Sequence, residues 1–271
     1  MPDGIEINEK DVVALDNIAP GVRGLRIAQV NVYAVSAPGG WVLIDAGLPT
    51  SDGRIRRWGE KHFGGCKPSA ILLTHGHFDH VGAFPQILDA WEWDVPVYAH
   101  QSELPYLRGQ KNYPAPDPDA GGGLISLLAP FYPRRPINLG NRVQALPLDG
   151  SVPGLNDWRW IHTPGHAEGH VSFFRDSDRT LLVGDAFCTT KQDSLSPMAM
   201  QRPELHGPPA YYTSDWDSAK DSVAILAKLK PQCVAPGHGS PMRGLDVAPA
   251  LDDLARNFDA VARPRNERHA A

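Results

Sequence analysis

Residues 74–80 read Thr-His-Gly-His-Phe-Asp-His, which places three histidines and an aspartate directly after the apolar run AILLT. From residue frequencies, HxHxDH arises by chance in roughly one or two chains in a thousand, so it carries a low false-positive risk. His75 and His77 stand two residues apart. In extended chain their rings point the same way and can reach one metal ion. Asp79 and His80 then face a neighbouring position. A helix predicted to start near Gly82 holds both at the rim of a sheet, open to substrate.

Three further metal-ligand residue types close apolar runs in the same manner: WIHTPGH ends at His166, TLLVGD at Asp185 and CVAPGH at His238. Repetition of that arrangement predicts one sheet edge where all of these side chains converge. The glycines before His166, Asp185 and His238 let the backbone turn sharply there.

Apolar, β-branched runs at 26–35, 40–45, 70–74, 95–99, 142–146, 158–163, 170–174, 179–185 and 232–237 read as strands. Helical patterns over 82–91, 218–230 and 251–262 lie between or after them; Pro85 must sit in a first turn, and Pro231 stops the second helix. The chain is therefore predicted to be α/β. Its 271 residues suffice for one substantial core, and a single domain over 1–271 is expected. Residues 101–140 break the rhythm with prolines, three consecutive glycines and aromatics. They read as an inserted lid or an oligomer contact.

The formal net charge of −5, with no lysine or arginine run, offers no footprint for nucleic acid or an anionic membrane. A small, roughly neutral substrate fits better. Cys66, Cys188 and Cys233 lie far apart without CxxC spacing, which argues against a disulfide framework or a structural zinc knuckle. The first residues hold no continuous apolar run, so neither a secretory signal nor a membrane span is expected, and the protein reads as cytoplasmic.

The pattern HxHxDH, then His, then Asp, then His resembles the metallo-β-lactamase superfamily at every ligand position, across nearly the whole chain. The resemblance implies a four-layer αββα sandwich and two divalent metal ions, with zinc expected and manganese, iron or cobalt as alternatives. It implies that His75, His77 and His166 hold one ion, that Asp79, His80 and His238 hold the other, and that Asp185 bridges them. Asp45, in VLIDAG, matches the superfamily's aspartate that orients a ligand without binding metal. Two ions about 3.5–4 Å apart can share a water, lower its pKa and polarise a substrate carbonyl. Asp79 is the candidate general acid/base.

Among the relatives, the intact Asp185 looks like the esterases, lactonases and thioesterases, because typical β-lactamases of the superfamily lack it. Acyl-homoserine lactonases place a tyrosine three residues after the bridging aspartate. Here Cys188 stands there, so Phe187, Cys188 and Tyr211 become the candidates for substrate contact, although Cys188 also reads as a small buried apolar residue. The insertion offers Tyr106, Tyr113, Phe131, Tyr132, Arg134 and Arg135 for an apolar mouth. The expected activity is cleavage of a small ester or lactone with a hydrophobic moiety. A glyoxalase II-like thioesterase comes second, ahead of a phosphotriesterase, a β-lactamase or an iron-dependent persulfide dioxygenase. No nucleic-acid or membrane partner is expected, and a homodimer is allowed.

Overall fold

A computed structural model describes residues 11–92, 94–117, 120, 137–190 and 203–264. It divides into two compact units, Met1–Tyr113 with Arg135–Trp160, and Pro114–Arg134 with Ile161–Ala271.

The first unit is built on a seven-stranded sheet in the order β1-β2-β3-β4-β5-β6-β7. Strands β1 (Val12–Ala19), β2 (Val22–Ile27), β3 (Val30–Ala37) and β4 (Gly40–Ile44) form an antiparallel meander. Strands β5 (Ala70–Leu72), β6 (Val97–Ala99) and β7 (Val143–Ala145) then run parallel to β4. Parallel neighbours need crossovers. These are supplied by α1 (Asp52–Phe63), by α2 (Phe78–Val81) with α3 (Phe84–Ala90), and by the segment that begins with α4 (Leu104–Leu107). Ile55 and Trp58 of α1 and Phe84, Ile87 and Leu88 of α3 pack with Trp41, Leu43, Ile71 and Val97 of the sheet. The alternate residues Val42, Ile44 and Leu72 are equally buried, which is why the central strands read as unbroken apolar runs.

Strand β8 (Ser151–Val152) pairs antiparallel with β9 (Leu155–His162), which carries the chain from the first unit into the second. There β10 (Val171–Arg175) and β11 (Thr180–Gly184) form a hairpin, β12 (Cys233–Pro236) runs parallel to β11, and β13 (Met242–Arg243) closes the edge. The crossover helix α5 (Trp216–Lys228) lays Trp216, Ala219, Val223 and Leu226 against Phe174, Leu181, Val183 and Val234. Helices α6 (Val247–Arg256) and α7 (Phe258–Val261) complete that layer with Leu251, Leu254 and Phe258. Among the described residues no helix is long and apolar enough to cross a membrane.

The structure corrects the sequence reading at several elements: β1 is a strand that reading lacks, and the helix expected to start near Gly82 starts instead at Phe78, as α2, so that Asp79 and His80 lie on it. The run 26–35 is two strands, turned at Ala28, whose φ of 55° takes the left-handed conformation without a glycine or asparagine to announce it. The pattern 251–262 is two helices that begin at Val247 and break at Asn257. Helix α1 escapes the periodicity search because its buried residues are few among charged ones.

Helix α5 starts on a side-chain cap: Asp215 Oδ1 accepts the Ser218 amide at 2.9 Å, and Ser218 Oγ donates back to Asp215 Oδ2 at 2.7 Å. Asp215→Ala is expected to lower unfolding stability by about 1 kcal/mol in urea titrations at unchanged m-value.

Candidate metal centre

In the first unit the chain leaves β5 through Leu73, Thr74, His75, Gly76 and His77, and His77 stands at the N-cap of the short helix α2 with an extended φ of −63° and ψ of 150°. His75 and His77 therefore stand on the same run, with ring centroids 4.6 Å apart. Helix α2 carries Asp79 in its first turn and His80 in its last, and returns the His80 ring to 4.2 Å from that of His75. Asp79 Oδ2 lies 3.9 Å from His80 Nε2. Three of these four side chains are buried, and Asp79 is half-buried.

Asp45 locks this arrangement. It follows β4 in the left-handed conformation at φ 60°, a region that aspartate visits more readily than most residues. Its Oδ1 accepts the Thr74 amide at 2.8 Å, while its Oδ2 accepts the Thr74 hydroxyl at 2.8 Å and His80 Nδ1 at 2.9 Å. Since the Thr74 proton is spent on Asp45, its oxygen accepts from His75 Nδ1, 3.0 Å away. Both rings thus hold the proton on Nδ1, which makes Nε2 the nitrogen that can ligate.

In the second unit His166 follows β9 through Thr163, Pro164 and Gly165. Gly165 has a φ of 129°, and a Cβ there would sit 2.3 Å from the Ala219 amide nitrogen, so only glycine lets this turn lie on the start of α5. Thr213 donates its hydroxyl to the Pro209 carbonyl at 2.8 Å and faces His166 Nδ1 at 3.2 Å, which again assigns Nε2 as the ligating atom. Asp185 and His238 follow the parallel neighbours β11 and β12, whose ends are joined by the Gly237 amide donating to the Gly184 carbonyl at 2.8 Å. Asp185 Oδ2 then lies 3.4 Å from His166 Nε2 and 3.2 Å from His238 Nε2. One carboxylate oxygen is shared by two imidazoles.

Comparison with known proteins points to one family. The sequence model of the metallo-beta-lactamase superfamily matches residues 25–238. The probable metallo-hydrolase YflN of Bacillus subtilis is 47% identical over 247 residues, 90% of this chain and 93% of YflN. The chain belongs to the metallo-beta-lactamase superfamily. A metallo-beta-lactamase family protein from Thermus thermophilus, TTHA1429, aligns over 90% of this chain and 81% of its own with a TM-score of 0.61 at 21% identity, a likeness of fold. Hydroxyacylglutathione hydrolase from Xylella fastidiosa (strain M12) is 32% identical over 127 residues, 46% of this chain and 35% of that enzyme.

The α/β class and the metallo-beta-lactamase fold expected from the sequence are those of the structure: two sheets carrying helices, with the ligand-type residues in segments that follow strands or, for Asp79 and His80, on the short helix α2. The donor set suits a divalent metal. Buried imidazoles fixed by Nδ1 contacts and a carboxylate set between two rings are the mix of intermediate nitrogen and hard oxygen donors that zinc, manganese, iron or cobalt accept.

Other candidates settle into the structure differently. Phe187 is fully buried in the core of the second unit. Cys188 is buried too, its backbone paired with His206 through bonds of 3.1 and 2.9 Å. Tyr211 is nearly buried and accepts the Asp117 amide at its carbonyl at 2.8 Å. Tyr106 and Tyr113 are buried and stacked, with centroids 4.2 Å apart. Burial, and then the neighbouring Glu103 carboxylate, push the Tyr113 phenol well above the ordinary tyrosine value, so it stays a donor. Phe131, Tyr132, Arg134 and Arg135 lie outside the described residues. No disulfide joins the cysteines, and burial pushes Cys233 up to about 11, an inert core thiol.

Nothing in the sequence reading singles out His170, yet the Asp185 amide donates to His170 Nε2 at 2.8 Å, while His170 Nδ1 lies 2.9 Å from Thr163 Oγ1 and 3.1 Å from the Thr163 carbonyl. The available signal was the repeated Gly-His in GHAEGH, residues 165–170. Thr213 and Glu103 gave no local signal.

Asp45→Asn keeps a residue that tolerates the left-handed backbone but offers one acceptor oxygen in place of two. Metal affinity is expected to fall by about 10–100-fold in competition titrations against a chromophoric chelator, and unchanged affinity would remove Asp45 from the ligand-holding role.

Proposed function

We propose that the chain is a dinuclear metallo-hydrolase that cleaves a small carboxylic ester or lactone carrying a hydrophobic moiety. In this reading His75, His77 and His166 would hold one divalent ion and Asp79, His80 and His238 the other, with the Asp185 carboxylate offered to both. The observation that carries the reading is Asp185 Oδ2, 3.4 Å from one imidazole nitrogen and 3.2 Å from another. A carboxylate placed to serve two imidazoles at once suits a ligand common to two ions. The family membership and the probable metallo-hydrolase YflN support the same reading.

Bound at these residues, a pair of divalent cations supplies a water acidic enough to ionise near neutral pH and a Lewis acid for the substrate carbonyl. The chain's own residues do the rest. Asp79 takes the proton from the attacking water and delivers it to the leaving oxygen. Asp45, through Thr74, holds the His75 and His80 rings in one tautomer, and Thr213 does the same for His166. No protein nucleophile is required.

The intact bridging aspartate favours ester, lactone and thioester bonds over β-lactams. A formal charge of −5 without a basic run favours an uncharged substrate in the cytoplasm over glutathione conjugates or nucleic acid. A thioesterase is the second reading, supported by the partial similarity to hydroxyacylglutathione hydrolase.

Metal analysis of the purified chain is expected to give two divalent ions, zinc first among them. A panel of lactones, aryl esters, thioesters, β-lactams and phosphotriesters is expected to show turnover of the first two. Selective thioester turnover would promote the second reading, and a single iron with thiol-dependent oxygen uptake would overturn both. In Asp79→Asn, with metal content measured beside activity because Asp79 is also a proposed ligand, kcat at full metal loading is expected to fall on the order of 10²–10⁴-fold, the range of general acid/base catalysis; full activity in that variant would refute the proton role.

A further inference from the structure

Behind the His75–Gly76–His77 turn lies a buried pair that the reaction described above does not use. Strand β6 is the parallel neighbour of β5, and soon after its C-terminal end a short 3₁₀ turn, Gln101–Glu103, brings in Glu103 with 0% of its surface exposed. Its Oε2 accepts the Gly76 amide at 2.9 Å and also the Tyr113 hydroxyl. The Tyr113 oxygen accepts the same Gly76 amide at 3.1 Å, and its ring meets the His77 ring edge-on, centroids 4.5 Å apart. The approach is close: a Cβ on Gly76 would lie 2.5 Å from the Tyr113 oxygen and 2.9 Å from Leu107 Cδ2. Tyr113 is itself clamped by its stack on Tyr106.

A carboxylate is costly to bury, and apolar side chains of similar volume would pack the same space with less penalty. Glu103 instead spends its acceptor capacity on the His75–Gly76 peptide, one of the two that separate the ligand-type histidines. Gly76 has no Cβ, so its own side chain does not restrict the peptide between the rings. The acceptor supplied from the neighbouring strand fixes it.

We propose that Glu103 and Tyr113 are positioning residues that set the Gly76 peptide, and through it the angle between His75 and His77, for metal binding. This rests on the reading of His75 and His77 as metal ligands. It also gives the start of the 101–140 segment a role inside the first unit, as a backing for the ligand turn.

The test is zinc(II) titration of the full chain, stripped by a chelator and followed with a chromophoric competitor, with circular dichroism and thermal melts confirming the fold. Wild type is expected to bind two zinc ions. Glu103→Ala is expected to weaken one site by about 10–100-fold, the usual effect of losing an outer hydrogen-bond partner, and Tyr113→Phe by on the order of 10-fold. Glu103→Gln keeps an acceptor oxygen for Gly76 and Tyr113 and is expected to return to within about threefold of wild type, since placement rather than charge is restored. Loss in Glu103→Gln as deep as in Glu103→Ala would assign the effect to charge and overturn the positioning role. If Glu103→Ala fails to fold, Tyr113→Phe decides. Wild-type binding with unaltered affinity in the folded variants overturns this inference alone, whereas a wild-type chain that takes up no zinc overturns the ligand assignment and this inference with it.

Discussion

A carboxylate as deeply buried as that of Asp185, 1% exposed, is stable only where positive charge or well-aimed donors surround it. In the second unit imidazoles face it, and His166, with its ring proton on Nδ1, turns an acceptor nitrogen toward it. Asp185 Oδ2 stands between His166 and His238, while the Asp185 backbone is pinned by its amide to His170. Neutral imidazoles alone do not balance the charge, and divalent cations do. Much of the surrounding backbone serves that placement: the left-handed glycine before Asp185, the tight turn at Gly165 and the parallel pairing of β11 with β12.

The first unit applies the same rule at a different edge. Strands β4, β5 and β6 are parallel neighbours, and the residues that follow them are Asp45, the Thr74–His77 run and Glu103. In open α/β sheets, sites form outside the carboxyl ends of the strands, because the crossovers leave room there and the strand-to-helix turns can be varied without disturbing the core. Asp45 and Glu103 act on Thr74 and Gly76, two residues apart on one run, so that two buried carboxylates hold the chain on either side of His75. Asp79, on the short helix that follows, is left more accessible than the histidines around it, which suits the proton role proposed for it.

The parts of this arrangement carried by consecutive residues were legible in the sequence. HxHxDH, the apolar runs ending at Asp185 and His238, and Asp45 in VLIDAG all announce themselves locally. The parts carried by hydrogen bonds between distant residues were not: His166 with Thr213, Gly76 with Glu103 and Asp185 with His170 join positions 47, 27 and 15 apart. Ala28 turns a hairpin without turn chemistry, and α1 shows too few apolar residues to be seen. Tyr106 and Tyr113, read as lining for a substrate mouth, are buried in the first unit instead, where they back the ligand turn. Phe187 and Cys188 are likewise buried beside the Asp185 turn.

X-ray absorption at the zinc edge, on the chain loaded with two equivalents of zinc, bears most directly on the bridging carboxylate. The expected result is nitrogen and oxygen scattering at roughly 2.0–2.2 Å together with a metal–metal vector of about 3.5–4 Å. Loss of that vector in Asp185→Asn would tie it to the bridge. A wild-type spectrum with no metal–metal scattering at full loading would contradict the dinuclear centre, and with it the reason Asp185 stands where it does.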